Sequence, residues 1–216
     1  MTDGICEITI VRHGQTQANV DGILQGQIQT PLDKTGILQA EAAAERFKND
    51  HFDVVFCSDL ARAYETAKTI MVHHPDTELI PCEELREWNL GDLQGRSLKE
   101  LWEVHPDIME AFLKPGDDMA VPGGESLNEF HLRVSSFMDR IAEEYAGKRV
   151  LFVSHGGAIQ RMFTHVTGVL NAKNVQPFCP NASVSVMRRL PKGWQLAVWG
   201  DISHLNNLKL HELMAY

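Results

Sequence analysis

Two histidines and two arginines follow short apolar, β-branched runs of the chain. They are Arg12 and His13 after the first run, Arg62 after the second, and His155 after the third. Guanidinium groups match phosphate oxygens in a bidentate fork, and a neutral imidazole carries a lone pair that can attack phosphorus. Neighbouring cations favour the neutral form of a histidine. If the three junctions meet in space, they predict a cationic pocket for a phosphate group, with a histidine as the nucleophile.

The elements that must position these residues alternate between strand-like and helix-like patterns. Five short apolar runs predict strands, at Cys6–Val11, Val54–Cys57, Val150–Val153, Val184–Met187 and Leu196–Trp199. Apolar residues at helical spacing predict helices at Ile37–Phe47, Leu60–Ile70, Ser126–Tyr145 and Gly157–Thr164. Ser58 is the expected N-cap of the second helix, and Ser126 with Glu129 forms a capping box for the third.

This alternation predicts an α/β fold, with three α/β/α layers around a mostly parallel central sheet. In such sheets ligands bind beyond the carboxyl ends of the strands, where the junction residues stand. We expect residues 1–216 to form a single domain, with a small helical cap inserted at about 88–124. The cap contains a predicted helix, Leu98–Leu113, and then two loops rich in proline and glycine.

Composition excludes several classes of partner. The 216 residues carry 20 Lys and Arg against 29 Asp and Glu, a net charge of −9, and there is no basic run. Such a surface repels nucleic acid and anionic membranes. The four cysteines are far apart in sequence, and no apolar stretch reaches the length of a membrane span. These features predict a cytoplasmic protein whose partner is a small molecule.

Five motifs in a fixed order cover nearly the whole chain. They are RHGQT at 12–16 with Asn19 behind it, SDLARA at 58–63, LRE at 85–87, PGGES at 122–126 and VSHGG at 153–157. In this order they resemble the histidine phosphatase superfamily, which includes the cofactor-dependent phosphoglycerate mutases. The resemblance implies a phosphoglycerate mutase-like fold and phosphoryl transfer through a covalent phosphohistidine. No metal ligand is expected, because arginine and histidine supply the positive charge.

The resemblance also implies roles for individual residues. His13 is the expected nucleophile, and Glu87 the group that protonates the leaving oxygen and later deprotonates water. The groups expected to neutralise the phosphoryl oxygens are Arg12, Arg62 and His155. The expected substrate-binding residues are Asn19, Thr16, Gln25, Gly26 and Gly156. Gly14 is interpreted as leaving room for the phosphoryl group.

Two features favour a phosphatase within the superfamily. The segment Leu24–Gly26, followed by Thr30–Leu32, resembles the phosphatase branch, although Gln29 replaces an acid usual there. The stretch 89–124 is short and acidic, which disfavours a doubly phosphorylated ligand. We therefore expect a phosphomonoesterase acting on a small phosphorylated metabolite without a cofactor.

Two alternatives stay open at this point. One is a cofactor-dependent phosphoglycerate mutase primed by 2,3-bisphosphoglycerate. The other is a non-catalytic binder of phosphorylated ligands, which the presence of both His13 and Glu87 disfavours. The sequence leaves open whether the protein forms a homodimer.

Overall fold

The computed structural model describes residues 4–107, 109, 120–169 and 177–208. The strands are β1 (Cys6–Arg12), β2 (Val54–Ser58), β3 (Leu79–Cys82), β4 (Arg149–Ser154), β5 (Val184–Leu190) and β6 (Gly193–Asp201). The helices are α1 (Gln17–Val20), α2 (Lys34–Phe47), α3 (Ala61–Met71), α4 (Leu98–Val104), α5 (Leu127–Glu144) and α6 (Gly156–Thr167). Short 3₁₀ turns lie at Glu83–Leu85, Gly91–Leu93 and Ser203–Leu208.

The six strands form one sheet in the order β3-β2-β4-β1-β5-β6. β3, β2, β4 and β1 are parallel, and β5 and β6 continue the sheet antiparallel. The predicted α/β fold with a mostly parallel sheet is therefore confirmed. Arg12 is paired with Ser154, and Cys57 with Val153, so the three junctions lie side by side at one sheet edge.

Helices cover both faces of this sheet, as the unbroken apolar runs predict. On one face α5 and α6 pack in a core that includes Phe130, Phe152 and Met162. On the other face α2 and α3 pack in a second core that includes Phe47 and Ile70. The sheet is thus the middle of three layers, and its carboxyl edge is the end where the helices begin.

Strand β3 was not predicted from the sequence. It has four residues, includes Pro81 and is the outermost strand on its side of the sheet. Proline removes a donor from the ladder, so it is tolerated at an edge but disguises the strand pattern.

Helix starts agree with prediction at Ser126, where the capping box with Glu129 is present. The N-cap predicted at Ser58 is wrong. Strand β2 runs through Ser58, and Leu60 precedes α3 without a side-chain cap. The Ser58 hydroxyl instead lies 2.8 Å from a histidine at the sheet edge and accepts from Leu60 N, two residues along the chain, at 3.3 Å.

The segment predicted as a cap has an apolar cluster separate from the two cores. Leu90, Leu93, Leu101, Met109 and Val121 are buried together there. The predicted helix Leu98–Leu113 is observed as α4, which ends at Val104. Residues 108 and 110–119 of the predicted cap lie outside the described residues. Within the described ranges, no helix is long and apolar enough to cross a membrane.

Candidate active site

His13 follows β1 and is almost fully buried, with 2% of its surface exposed. Its backbone N–H donates to Ser154 O (2.9 Å), which ties it to the end of β4. The ring Nδ1 lies 2.6 Å from Gly14 O. Because a carbonyl only accepts, Nδ1 carries the ring proton and Nε2 carries the lone pair. Burial, and then Arg62 and Arg12, lower the pKa of His13 well below its usual range. The nitrogen that is available to act as a nucleophile is therefore Nε2 of a neutral ring.

Arg62 presents a fixed guanidinium to this nitrogen from the first turn of α3. Its Nε donates to His13 Nε2 at 3.3 Å. Its other nitrogens donate to Gly26 O (2.8 Å), Ile28 O (2.9 Å) and the hydroxyl of Thr30 (3.1 Å). Burial lowers the pKa of Arg62 to about 10, and nearby Glu87 opposes that shift. Arg62 thus remains charged at neutral pH, in a single orientation.

Arg12 supplies a second guanidinium at the same edge. Its Nη1 donates to Cys179 O at 2.6 Å, while its Nε is buried without a hydrogen-bond partner in the part of the chain that the structure describes. A Cβ added at Gly156 would lie 3.3 Å from Arg12 Cζ. Gly156 therefore lets the start of α6 approach the guanidinium closely.

His155 lies beside His13, with ring centroids 5.1 Å apart, and is fully buried. Its Nε2 is 2.8 Å from the hydroxyl of Ser58, which itself accepts from Leu60 N. If Ser58 donates to Nε2, Nδ1 carries a proton, and Nδ1 has no partner among the described residues. Burial and then Arg62 lower the pKa of His155 well below its usual range. With that proton, Nδ1 and the Nε of Arg12 are two buried donors that have no partner among the described residues and are available to an anion.

Glu87 lies at the N-terminus of α6. Its Oε2 accepts from Gly157 N and its Oε1 from Trp88 N, both at 2.9 Å. A Cβ added at Gly157 would meet this carboxylate, so a larger residue there would displace the end of the Glu87 side chain. The predicted proton donor is thus tied to the helix that begins beside His155.

Four of the predicted substrate-binding residues, Thr16, Asn19, Gln25 and Gly26, are joined by hydrogen bonds to one another or to Arg62. Thr16 and Asn19 close a capping box on α1, and the hydroxyls of Thr16 and Thr30 donate to Gln25 Oε1 (3.1 and 2.6 Å). Gly26 has φ +49° and turns its carbonyl to Arg62. These contacts of Thr16, Gln25 and Gly26 hold Asn19 and Arg62 in place, and contact of the predicted residues with a substrate stays a prediction.

Gly14 has a packing role that was not predicted from the sequence. A Cβ added there would meet the backbone carbonyl of Gly36 in α2. Its own N–H donates to the hydroxyl of Thr66 at 3.1 Å. The glycine permits two backbone segments to pack together, and its place beside a phosphoryl group stays a prediction.

The segment that hydrogen-bonds to the backbone carbonyl of His13 was not predicted from the sequence. Asn181 Nδ2 and Ala182 N both donate to His13 O, at 3.0 and 3.2 Å. Ala182 has φ +55°, the left-handed region that alanine seldom adopts. The turn-forming pair Pro180-Asn181 before β5 is the sequence signal that could have indicated a structured loop here.

Among the described residues, no group of three or more His, Cys, Asp or Glu side chains is placed to hold a metal ion.

A family model described as "Histidine phosphatase superfamily (branch 1)" matches residues 8–202. The chain belongs to this superfamily.

Relatives cover nearly all of the chain. Phosphoglycerate mutase-like protein 4 of Arabidopsis thaliana is 36% identical over 92% of this chain and 86% of its own length. The metal-independent phosphoserine phosphatase of the same plant is 36% identical over 94% and 85%. A mycobacterial glucosyl-3-phosphoglycerate phosphatase has a similar structure, with a TM-score of 0.80, 28% identity and coverage of 91% and 99%. The chain is thus an enzyme of phosphoryl transfer, and its relatives include phosphatases of small metabolites.

Proposed function

We propose that the protein is a phosphomonoesterase that passes the phosphoryl group of a small metabolite to His13 and then to water. The observation that carries the proposal is the neutral, buried His13, whose Nε2 lone pair meets Arg62 at 3.3 Å. A lone pair held beside a fixed cation is what attack on a phosphorus atom with anionic oxygens requires.

In the first step, His13 Nε2 attacks phosphorus and the ester P–O bond breaks. The leaving oxygen takes a proton from the carboxyl group of Glu87. Arg12 and Arg62 neutralise charge on the phosphoryl oxygens, and the neutral His155 and Asn19 each donate a further hydrogen bond to them. In the second step, the Glu87 carboxylate removes a proton from water as the water attacks phosphorus. The P–N bond then breaks, which releases phosphate and restores neutral His13.

A direct test of this proposal uses an aryl phosphate in excess EDTA. The wild-type protein is expected to hydrolyse it, and His13→Ala to lose turnover, while His51→Ala at an exposed surface position keeps it. Rapid denaturation at alkaline pH after mixing with a ³²P-labelled substrate should trap a labelled phosphohistidine in the wild type only. Activity that disappears with EDTA, or that survives in His13→Ala, refutes the mechanism.

A phosphoglycerate mutase is the second candidate, because one relative at 36% identity bears the name phosphoglycerate mutase-like protein. Acidic side chains on the described part of the predicted cap, among them Asp92, Glu100 and Glu103, favour a singly phosphorylated substrate over a bisphosphate. Incubation with 3-phosphoglycerate and 2,3-bisphosphoglycerate separates the two activities. Formation of 2-phosphoglycerate faster than release of phosphate would reverse our choice.

A cytoplasmic location, a single domain and the absence of a cofactor stay predictions.

A further inference from the structure

Arg133 lies on α5 and is separate from the four side chains proposed to surround the phosphoryl group, which are Arg12, His13, Arg62 and His155. Its Nη1 donates to the backbone carbonyls of Glu84 (2.9 Å) and Arg86 (3.1 Å), and also to that of Glu83 (3.3 Å). Its Nη2 donates to the carbonyl of Glu87 at 3.1 Å. One guanidinium therefore holds the whole turn that leads to the proposed proton donor.

Glu125 completes this arrangement from the other side. Arg133 donates to both of its carboxylate oxygens, from Nε at 3.1 Å and from Nη2 at 2.5 Å. Glu125 Oε1 also accepts from Asn89 N at 2.9 Å, and its backbone carbonyl accepts from Trp88 Nε1 at 2.8 Å. The backbone is thus held by Arg133 up to residue 87 and by Glu125 after it.

Packing restricts the same turn. The Arg133 guanidinium lies over the ring of Phe130 at 5.1 Å, and Phe130 stacks on Trp88 with centroids 5.8 Å apart. The side chains of Arg133 and Glu125 are 21% and 17% exposed, so water screens their ion pair less than a fully exposed one. Gln27 Nε2 adds a second donor to Glu87 O, at 3.0 Å.

We propose that Arg133, oriented by Glu125, is a positioning residue that sets where the Glu87 carboxyl meets the leaving oxygen. The inference rests on the proposed function, in which Glu87 is the proton donor. A general acid must lie within hydrogen-bond reach of the oxygen that it protonates, and a misplacement of about 1 Å can cost about 100-fold in rate. The carbonyl contacts place the backbone of Glu87, and its carboxylate is then held by Gly157 N.

Substrates differ in whether their leaving oxygen must be protonated, and this difference distinguishes a role in positioning Glu87 from general support of the fold. Alkyl phosphates release a strongly basic oxygen and need the proton, whereas 4-nitrophenyl phosphate releases a stabilised anion that leaves without it. The ratio kcat/KM contains only steps up to P–O cleavage, so hydrolysis of the phosphohistidine does not enter it. Displacement of Glu87 should therefore lower kcat/KM for alkyl phosphates alone.

The experiment compares Arg133→Met and Arg133→Lys with Arg140→Met as a matched control. Arg140 lies two turns later on α5 and contacts Glu84 Oε1 at 3.4 Å on the surface. With phosphoserine or glycerol 3-phosphate, we expect Arg133→Met to lower kcat/KM by about 10- to 100-fold. With 4-nitrophenyl phosphate the loss should stay below about 3-fold, and Arg140→Met should change neither. For the alkyl phosphates, kcat/KM of Arg133→Lys should lie between the values of the wild type and Arg133→Met, because one ammonium cannot donate to all the carbonyls and to Glu125 at once.

Glu125→Gln gives a second route if Arg133→Met fails to fold, because it keeps the size of the side chain and an acceptor for Asn89. It should show the same selective loss. Equal losses on both substrate types, or no loss on either, would overturn the inference.

Glu87→Gln separates the inference from the proposed function. Suppose that Glu87→Gln lowers kcat/KM for alkyl phosphates only, while Arg133→Met lowers it equally for both substrate types. The acid role of Glu87 would then stand, and the positioning role of Arg133 would be wrong. Uniform loss in Glu87→Gln would overturn the acid role of Glu87, and the inference with it.

Discussion

Mild acid should destabilise this protein through three histidines that are neutral in the folded state. Burial and neighbouring arginines lower the pKa of His13 and His155 well below the usual range. Burial and then Arg46 lower the pKa of His204 to about 4. An unfolded histidine takes up a proton near pH 6.5, so the unfolded chain binds more protons below that pH. The stability that these groups contribute is therefore complete above about pH 6.5 and is lost as the pH falls.

The size of this loss of stability follows from the number of protons that the histidines take up on unfolding. Each histidine that stays neutral in the folded state changes the free energy of unfolding by about 1.4 kcal/mol per pH unit. His13, His155 and His204 together reach about 4 kcal/mol per unit, or about 5 kcal/mol between about pH 6.5 and pH 5. Since domains are typically stable by about 5–15 kcal/mol, this is a large share of the total.

Urea unfolding at about pH 7.5, 6.5, 5.5 and 5 measures this slope. The double variant His13→Asn/His155→Asn should lose about 2.7 kcal/mol per pH unit of it. His51→Asn, whose side chain is 76% exposed, should keep the wild-type slope. A wild-type slope below about 1.5 kcal/mol per pH unit, or an unchanged slope in the double variant, would refute the assignment of neutral buried histidines.

Three further changes test the surroundings of the pocket. Arg62→Lys should lower kcat/KM by at least about 100-fold in steady-state kinetics. The reason is that one ammonium cannot face the phosphoryl group and also donate to Gly26 O and Ile28 O. A kcat/KM equal to that of the wild type would contradict this role of Arg62. Gly14→Ala should destabilise the fold by about 1–3 kcal/mol in urea unfolding, because its Cβ meets the Gly36 carbonyl. Ala182→Gly should raise the free energy of unfolding by up to about 1 kcal/mol, since it relieves a left-handed φ, and a loss would speak against strain there.

Most of the sheet was predictable because its strands are buried on both faces. Runs such as Val150–Val153 contain only apolar residues, and the structure places them within β4. The four-residue β3 was not predictable, since its pattern includes Pro81 and half-buried positions. Ser58 was misassigned as an N-cap because local sequence does not show that a histidine 97 residues away competes for its hydroxyl.

Sequence alone determined which chemistry is available. Arg12, His13, Arg62 and His155 each follow a strand, and parallel strands bring their carboxyl ends to one edge, so the cationic pocket follows from local patterns.

Only the tertiary structure decided how these groups are tuned. The Gly14 carbonyl selects the reactive nitrogen of His13, burial keeps both histidines neutral, and Arg133 and Glu125 hold the turn before Glu87. The proton position, the degree of burial and the orientation of a carboxyl all depend on the final packing. Several of the contacts that set them join residues far apart in sequence, and no local spacing records those contacts.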